Sequence, residues 1–204
     1  EDGNIQAGQR AVIRARVKSY KIGKVGNGSV NITYTLEQMG FVVANKDVQT
    51  ITSNDEDISL KREDMKVIHM IGDKCASICA EIPMTTREPI KKLLLCESQA
   101  SVKDIEPGLN YVAVTGEIVT RVLYLTENDK FETAYVFENF REEIEIEGVT
   151  RDSSAEAFAF VRYNEVKAVV DNDEKGARVQ ISVPVDICAI AYNEVDVDVV
   201  ADLY

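Results

Sequence analysis

Apolar and polar residues alternate along most of the chain, and this period of two is typical of β-strands with one face toward a core. The pattern is clear at 11–22 (AVIRARVKSYKI) and at 29–44 (SVNITYTLEQMGFVVA), on either side of the sequence Gly-Asn-Gly. Gly and Asn tolerate the positive φ of a tight turn, so these stretches predict a long hairpin. Strand patterns return at 64–82, at 111–149 and from 154 onward. So many strands separated by turn signals favour a sandwich or a barrel, and we predict an all-β antiparallel β-sandwich.

One stretch departs from this alternation and predicts a short helix near 87–95. Thr85 or Thr86 can serve as the N-cap, and Pro89 is tolerated in a first turn. A short apolar stripe at helical spacing follows, formed by Ile90, Leu93 and Leu94.

Two parts of the chain resemble each other and predict an internal repeat. Residues 11–22 align with 157–168, and residues 30–51 align with 179–200. The two offsets, 146 and 149 residues, differ by three, and the difference falls in a turn, where insertions are tolerated. A period of this length is too long for a solenoid and fits tandem domains.

The repeat predicts a division into residues 1–57, the C-terminal half of a preceding unit, and residues 58–204, a complete unit. The first segment is then a long N-terminal hairpin, which is marginal in water when nothing covers its apolar face. We expect it either to dock on residues 58–204 or to pair with a neighbouring chain by strand addition. The side chains that need cover are Tyr34, Leu36, Phe41 and Val43.

Charge and composition exclude several kinds of partner. The 204 residues include 35 Asp and Glu against 23 Lys and Arg, for a net charge of −12. A surface this acidic is repelled by nucleic acid and by anionic membranes, so we expect neither as a partner. No stretch of about 18 apolar residues exists, which argues against membrane insertion. The sequence begins at Glu1 without Met, and we interpret it as an excised fragment or a processed chain.

The residues that carry most enzyme chemistry are sparse, and we predict no catalytic residue, metal site or cofactor. His69 is the single His, and no nucleophile signature surrounds it. The sequence DNDEKG at 171–176 resembles the start of a calcium loop, but its twelfth position is Ser182, where Glu is required. We therefore predict a hairpin turn there. Neither of the glycine-rich nucleotide-binding motifs occurs.

Four cysteines in 204 residues are too few for a disulfide-stapled scaffold. Cys75 and Cys79 share a strand face about 13 Å apart, which is too far for a disulfide between them. The spacing also lacks the paired short knuckles of a zinc site. We expect small buried residues in a reducing compartment; the four are Cys75, Cys79, Cys96 and Cys188.

Carboxylates alternate with apolar residues in two places, Glu143, Glu145 and Glu147 in one and Asp196 with Asp198 in the other. Within each group the carboxylates lie on one strand face, about 7 Å apart. One interpretation is a solvated strand face. The other is an acidic ladder that meets a basic partner surface or prevents edge-to-edge aggregation.

Four segments together resemble the SPOCS domain of spore-forming Firmicutes. They are EIPMTTREPIKKLLLCESQASV at 81–102, VAVTGEIVTRVLYLTEND at 112–129, FENFREEIEI at 137–146 and VDVVADLY at 197–204. Their order and spacing match the family over about 140 residues, and residues 1–57 resemble the tail of a preceding SPOCS unit. These segments form a strand and turn pattern and hold no catalytic motif.

The resemblance implies a non-catalytic structural and protein-interaction role in spore coat or spore envelope assembly. Such domains occur in tandem in SipL-like proteins of the mother cell, so the implied location is the mother-cell cytoplasm, the spore coat or the outer spore envelope. In that family a LysM part is linked to binding the basement-layer ATPase. Since no LysM pattern occurs in these residues, contact with that ATPase is expected through other parts of the full-length protein. Other expected partners are proteins of the spore coat and further copies of the chain.

Two other classes of function compete with this interpretation. A secreted adhesin or carbohydrate-binding β-sandwich would use surface aromatics in a groove, but aromatic residues make up only 7% and Trp is absent. An enzyme is disfavoured by the single His and by the lack of a nucleophile motif.

Overall fold

The computed structural model describes residues 10–26, 29–43, 60–174 and 176–203. Throughout these ranges the chain forms β-strands with a single short 3-10 turn, which confirms the all-β prediction. It divides into two compact units, one of residues 1–60 with 202–204 and the other of residues 61–201. The predicted boundary between 57 and 58 lies outside the described residues and stays a prediction.

The first unit contains the predicted hairpin. Strand β1 (Arg10–Gly26) pairs antiparallel with β2 (Ser29–Val43), and Gly26 lies opposite Ser29 at the turn. This pairing is one that the predicted repeat requires. The relation of the hairpin to a preceding SPOCS unit stays a prediction.

One face of this hairpin carries exposed apolar side chains. Tyr20 lies opposite Tyr34 in the register, and both are more than half exposed. Leu36 follows on the same face of β2 and is 55% exposed. The side chains of Phe41 and Val43, which were also expected to need cover, lie outside the described side chains.

The second unit is built from seven strands in two antiparallel sheets. One sheet has the order β3-β9-β7, with β8 also paired to β9, and the other has the order β4-β5-β6. A 3-10 turn at Tyr163–Glu165 separates β7 from β8. The strands are β3 (Leu60–Thr86), β4 (Ile90–Pro107), β5 (Tyr111–Thr126), β6 (Phe131–Glu145), β7 (Ser154–Val161), β8 (Lys167–Asp173) and β9 (Gly176–Leu203).

The core lies between the middle strands of the two sheets. Alternate residues of β9 are fully buried, and alternate residues of β5 bury their side chains in the same hydrophobic cluster. Strands β3 and β6 add Ile82 and Ile144 to this cluster. Two sheets that share one apolar interior are a sandwich-like arrangement, as predicted. The central members of the cluster are Val112, Val114, Ile118, Val122, Val179, Ile181, Val183, Val185 and Ile187.

The predicted helix near 87–95 is wrong, because β4 begins at Ile90 and runs through this stretch. Register shifts occur between Ile90 and Lys92 and again between Leu93 and Leu95. Each shift inserts one extra residue, so the inward side chains Ile90, Leu93 and Cys96 follow one another at intervals of three instead of two. Two bulges thus give this strand the apolar spacing that is typical of a helix.

The expectation of four small buried cysteines is also wrong. Cys75 on β3 forms a disulfide with Cys188 on the neighbouring strand β9. Of the two free cysteines, Cys79 is exposed, whereas Cys96 is half-buried. Burial raises the pKa of the Cys96 thiol, so this side chain stays protonated and behaves as a small core residue.

The DNDEKG sequence forms the hairpin turn that was predicted. Asp173 at the end of β8 lies opposite Gly176 at the start of β9. Gly176 has a φ of +148°, and the backbone of Thr86 lies where a Cβ would project. Glycine is therefore the residue that fits this start of β9.

Candidate partner-binding surface

Three acidic side chains project from the end of β6 and from the turn that follows it. Glu143, Glu145 and Glu147 are exposed, whereas Ile144 and Ile146 between them are only 2% and 6% exposed. The alternation of the sequence therefore orients this segment as predicted, with aliphatic side chains inward and carboxylates outward.

A turn between β4 and β5 holds this segment in place. Asn110 has a φ of +64°, a conformation that Asn tolerates better than most residues. Its backbone carbonyl accepts a 3.0 Å hydrogen bond from the Ile146 amide, and its side-chain oxygen accepts one of 3.0 Å from the Gly148 amide. The Asn110 amide in turn donates to the Val149 carbonyl at 2.8 Å. Three hydrogen bonds from one residue thus fix the turn that carries Glu147.

The glutamates line an open groove of about 630 Å³. Its other walls come from the β4–β5 turn and from β3, through Leu109, Asn110, Tyr111 and Lys74. A second groove of about 470 Å³ adjoins it and shares Lys74, Glu145 and Glu147. It continues along β3 through Ile71, Gly72 and Asp73. We call these two grooves together the acidic groove.

The acidic groove has a strong excess of negative charge. Its walls carry four carboxylates, the three glutamates and Asp73, against the single ammonium of Lys74. Arg141 lies at one margin, 3.9 Å from Glu143 and 3.4 Å from Glu106, and all three side chains are more than half exposed. Exposed pairs of this kind compensate little charge, so the groove keeps a negative potential that attracts basic side chains.

The structure places the second predicted acidic pair elsewhere. Asp196 and Asp198 are exposed on β9, and Asp198 forms a 2.7 Å ion pair with Arg62 on β3. Arg62 precedes the acidic-groove residue Gly72 by ten positions on that strand. The two groups of carboxylates thus lie beside different parts of β3. Only the glutamates share a groove.

No sequence pattern indicates that Lys74 and Asn110 join the glutamates. Lys74 comes from a distant strand, and its place depends on how the two sheets pack. Asn110 belongs to a Pro-Gly-Leu-Asn sequence that signals a turn, but not what that turn contacts.

A polar cluster on β3 was also not predicted. Glu81 accepts hydrogen bonds from Gln180 at 3.0 Å and from Ser182 at 2.7 Å, both on β9. These bonds, the one from Gln180 most of all, hold the pKa of the Glu81 carboxyl below its usual value. The cluster lies on an exposed sheet face and helps to join the two strands.

The remaining candidate features are the single His, a metal site and a membrane span. His69 is exposed on β3. In the described part of the chain, no three His, Cys, Asp or Glu side chains are grouped so that they could hold a metal ion. Nor does any described helix have the length and apolar content needed to cross a membrane.

Part of the second unit matches a known family. Residues 89–169 match the family model described as SipL, SPOCS domain. This part of the second unit is similar to a SPOCS domain. The SPOCS family is structural and spore-related, and it is not a known enzyme family. Searches of curated proteins and of solved structures find no match.

The SPOCS match covers the β4-β5-β6 sheet, β7 and the first residues of β8. It therefore includes Glu143, Glu145 and Glu147 with the turn that positions them, whereas Asp196 and Asp198 lie beyond it. A tandem arrangement of SPOCS units stays a prediction.

Proposed function

We propose that this protein is a non-catalytic structural and protein-interaction module in assembly of the spore coat or spore envelope. Its expected location is the mother-cell cytoplasm, the coat or the outer envelope, and its partners are proteins of the coat. Contact with the basement-layer ATPase is expected through other parts of the full-length protein. The family match carries the sporulation role.

The acidic groove supports a specific mode of interaction. Four carboxylates on rigid strands and turns, with one lysine among them, suit a basic segment or patch of a partner. The three hydrogen bonds of Asn110 hold this surface before a partner arrives, which reduces the ordering cost of binding. We therefore propose that Glu143, Glu145 and Glu147 contact lysine or arginine side chains of a coat protein.

The test is affinity capture from sporulating and from vegetative cells, with the chain as bait. A triple variant, E143Q/E145Q/E147Q, changes the net charge from −12 to −9 and keeps the shape of the side chains. A matched variant, E127Q/D152N/E174Q, changes the charge by the same amount at exposed positions away from the groove.

We expect wild type and the matched variant to retain the same sporulation-specific proteins and the groove variant to lose them. Moderate salt should release them as well, because the contacts are between exposed charges. Equal loss in both variants would assign binding to net charge alone and contradict the role of the groove. If no protein is specific to sporulating cells, the coat-assembly role itself is contradicted.

The alternative, a carbohydrate-binding module, finds less support in these grooves. Sugar-binding sites on β-sandwiches need aromatic side chains in the groove, and Tyr111 is the one aromatic residue among the walls of the acidic groove. An array of glycans would distinguish the two functions, and binding there that survives E143Q/E145Q/E147Q would favour the alternative.

A further inference from the structure

Strand β6 is the open edge of the β4-β5-β6 sheet. Over its whole length it pairs with β5, and in the described ranges no other strand pairs with it. The N–H and C=O groups along its free side therefore have no strand partner. Proteins commonly protect such an edge with Pro, Lys or a bulge, because an open edge accepts strands from other chains.

The first half of β6 carries none of these protections. Residues 131–137 read FETAYVF, with Glu132 as the single charged residue, and their pairing with β5 has no register shift. Phe131, Tyr135 and Phe137 project from the outer face and are 72%, 58% and 62% exposed. Beside them on β5 lie the partly exposed Leu123 and Leu125, so the outer face is apolar up to the edge. Three large exposed aromatics at an open edge mark a contact surface.

We propose that β6 pairs antiparallel with β6 of a second copy of the chain, centred on Ala134. The two three-stranded sheets would then join into one sheet of six strands around a twofold axis. In this register Phe131 lies opposite the second copy's Phe137, and Tyr135 lies opposite its Thr133. Cross-strand aromatic pairs of this kind stabilise antiparallel sheets. Ala134 lies opposite itself at the centre, where its small side chain allows close approach.

Charge selects this register among its neighbours. With the centre at Ala134, Lys130 of each copy lies opposite Glu138 of the other, and neither side chain has an ion-pair partner among the described residues. Moving the centre by one residue to Tyr135 would instead place Glu132 opposite Glu138. Like charges directly opposite each other destabilise a strand pair. The charge pattern thus favours a second copy of this chain as the occupant of the edge.

This contact is separate from the acidic groove. The exposed aromatics Phe131, Tyr135 and Phe137 lie in the first half of β6, while Glu143 and Glu145 lie at its end. Self-pairing therefore goes beyond the proposed binding of a basic partner, and either can fail without the other. A twofold contact of this type closes on itself, so it produces dimers and not open filaments.

The oligomeric state of the full chain in solution tests the proposal. In sedimentation equilibrium we expect a species of twice the 22.7 kDa monomer mass at high protein concentration. Phe137→Lys should weaken this association at least tenfold. The matched variant Tyr163→Lys alters an aromatic side chain that is equally exposed, 62%, but lies in the 3-10 turn away from this edge, and it should dimerise like wild type. Circular dichroism would show that both variants are folded.

Disulfide trapping tests the register. In a background with Cys79→Ser and Cys96→Ala, we expect Ala134→Cys to form a cross-linked dimer on mild oxidation. Val136→Cys lies on the same face, but the two copies of residue 136 would be about 13 Å apart, which is too far to bridge. A monomeric wild type, dimers unaffected by Phe137→Lys, or equal cross-linking at both positions would each overturn the proposal. Dimers lost instead with Tyr34→Lys would assign the contact to the β1–β2 hairpin.

Discussion

Replacement of Gly116 by Ala should destabilise the second unit, although Gly to Ala in a strand normally stabilises by about 0.5–1 kcal/mol. Gly116 is buried in the middle of β5, paired with Val102 on one side and Phe140 on the other. A Cβ at this position would lie 2.5 Å from Cε1 of Phe140 and would also clash with its Cζ and with the Ser101 carbonyl oxygen. Ordinary carbon contacts are about 3.5–4.0 Å, so the ring would have to retreat by about 1 Å.

The surroundings leave little room for that retreat. Phe140 is 7% exposed and packs in the core cluster, and Ser101 belongs to the paired strand β4. Overpacking in such a core costs about 1–3 kcal/mol. The gain that Gly to Ala normally brings offsets part of this cost. We therefore expect a net loss of about 1–2 kcal/mol in the free energy of unfolding, or about 3–8 °C in the midpoint of thermal unfolding.

Urea unfolding followed by circular dichroism measures this loss. Gly72→Ala is a graded control, because its Cβ would meet one atom only, the Cγ2 methyl of Ile146 at 3.0 Å, and should cost less. A double-mutant cycle with Phe140→Leu should show coupling of about 1 kcal/mol, since the smaller side chain relieves part of the clash. A Gly116→Ala variant as stable as wild type would refute the reasoning.

Three further predictions concern other contacts of the second unit. Cys75→Ser/Cys188→Ser should lose about 2–4 kcal/mol of stability, because the disulfide joins residues 113 positions apart; a reductant should lower the thermal midpoint of wild type but not of the variant. Ser98→Ala should cost about 1–2 kcal/mol in urea unfolding, because it leaves the fully buried Thr120 hydroxyl without its 2.8 Å hydrogen bond, and adding Thr120→Val should recover most of the loss. The pKa of Glu81 is lower in the folded chain than in the unfolded one, so its contribution is present at neutral pH and lost as the pH falls through the folded value; unfolding experiments across acid pH should show the Glu81→Gln difference vanish there.

The parts of the fold that follow from local alternation could be predicted from the sequence. On β5, the alternate residues Val112, Val114 and Ile118 reach the core because a strand turns every second side chain to the same face. The outward glutamates of β6 follow from the same rule. At β4, bulges changed the period from two to three, and nothing in the local sequence separates that spacing from one helical turn.

Features that depend on which strands become neighbours could not be predicted. The Cys75–Cys188 disulfide requires β3 to lie beside β9 in one particular register, and these strands are separated by five others in sequence. The full set of residues in the acidic groove could not be predicted for the same reason. Its glutamates follow one another in sequence, but Lys74 joins them from β3, a strand of the other sheet.

Strand β9 has a consequence for the order in which the domain folds. It is the central strand of its sheet and follows its neighbours in sequence, so β3, β7 and β8 have their partner only after the ribosome has synthesised it. The β4-β5-β6 meander has local contacts and can form earlier, with Val112, Val114 and Ile118 still uncovered. We expect folding to be limited by the arrival of β9, and the nascent meander to be the state most in need of a chaperone.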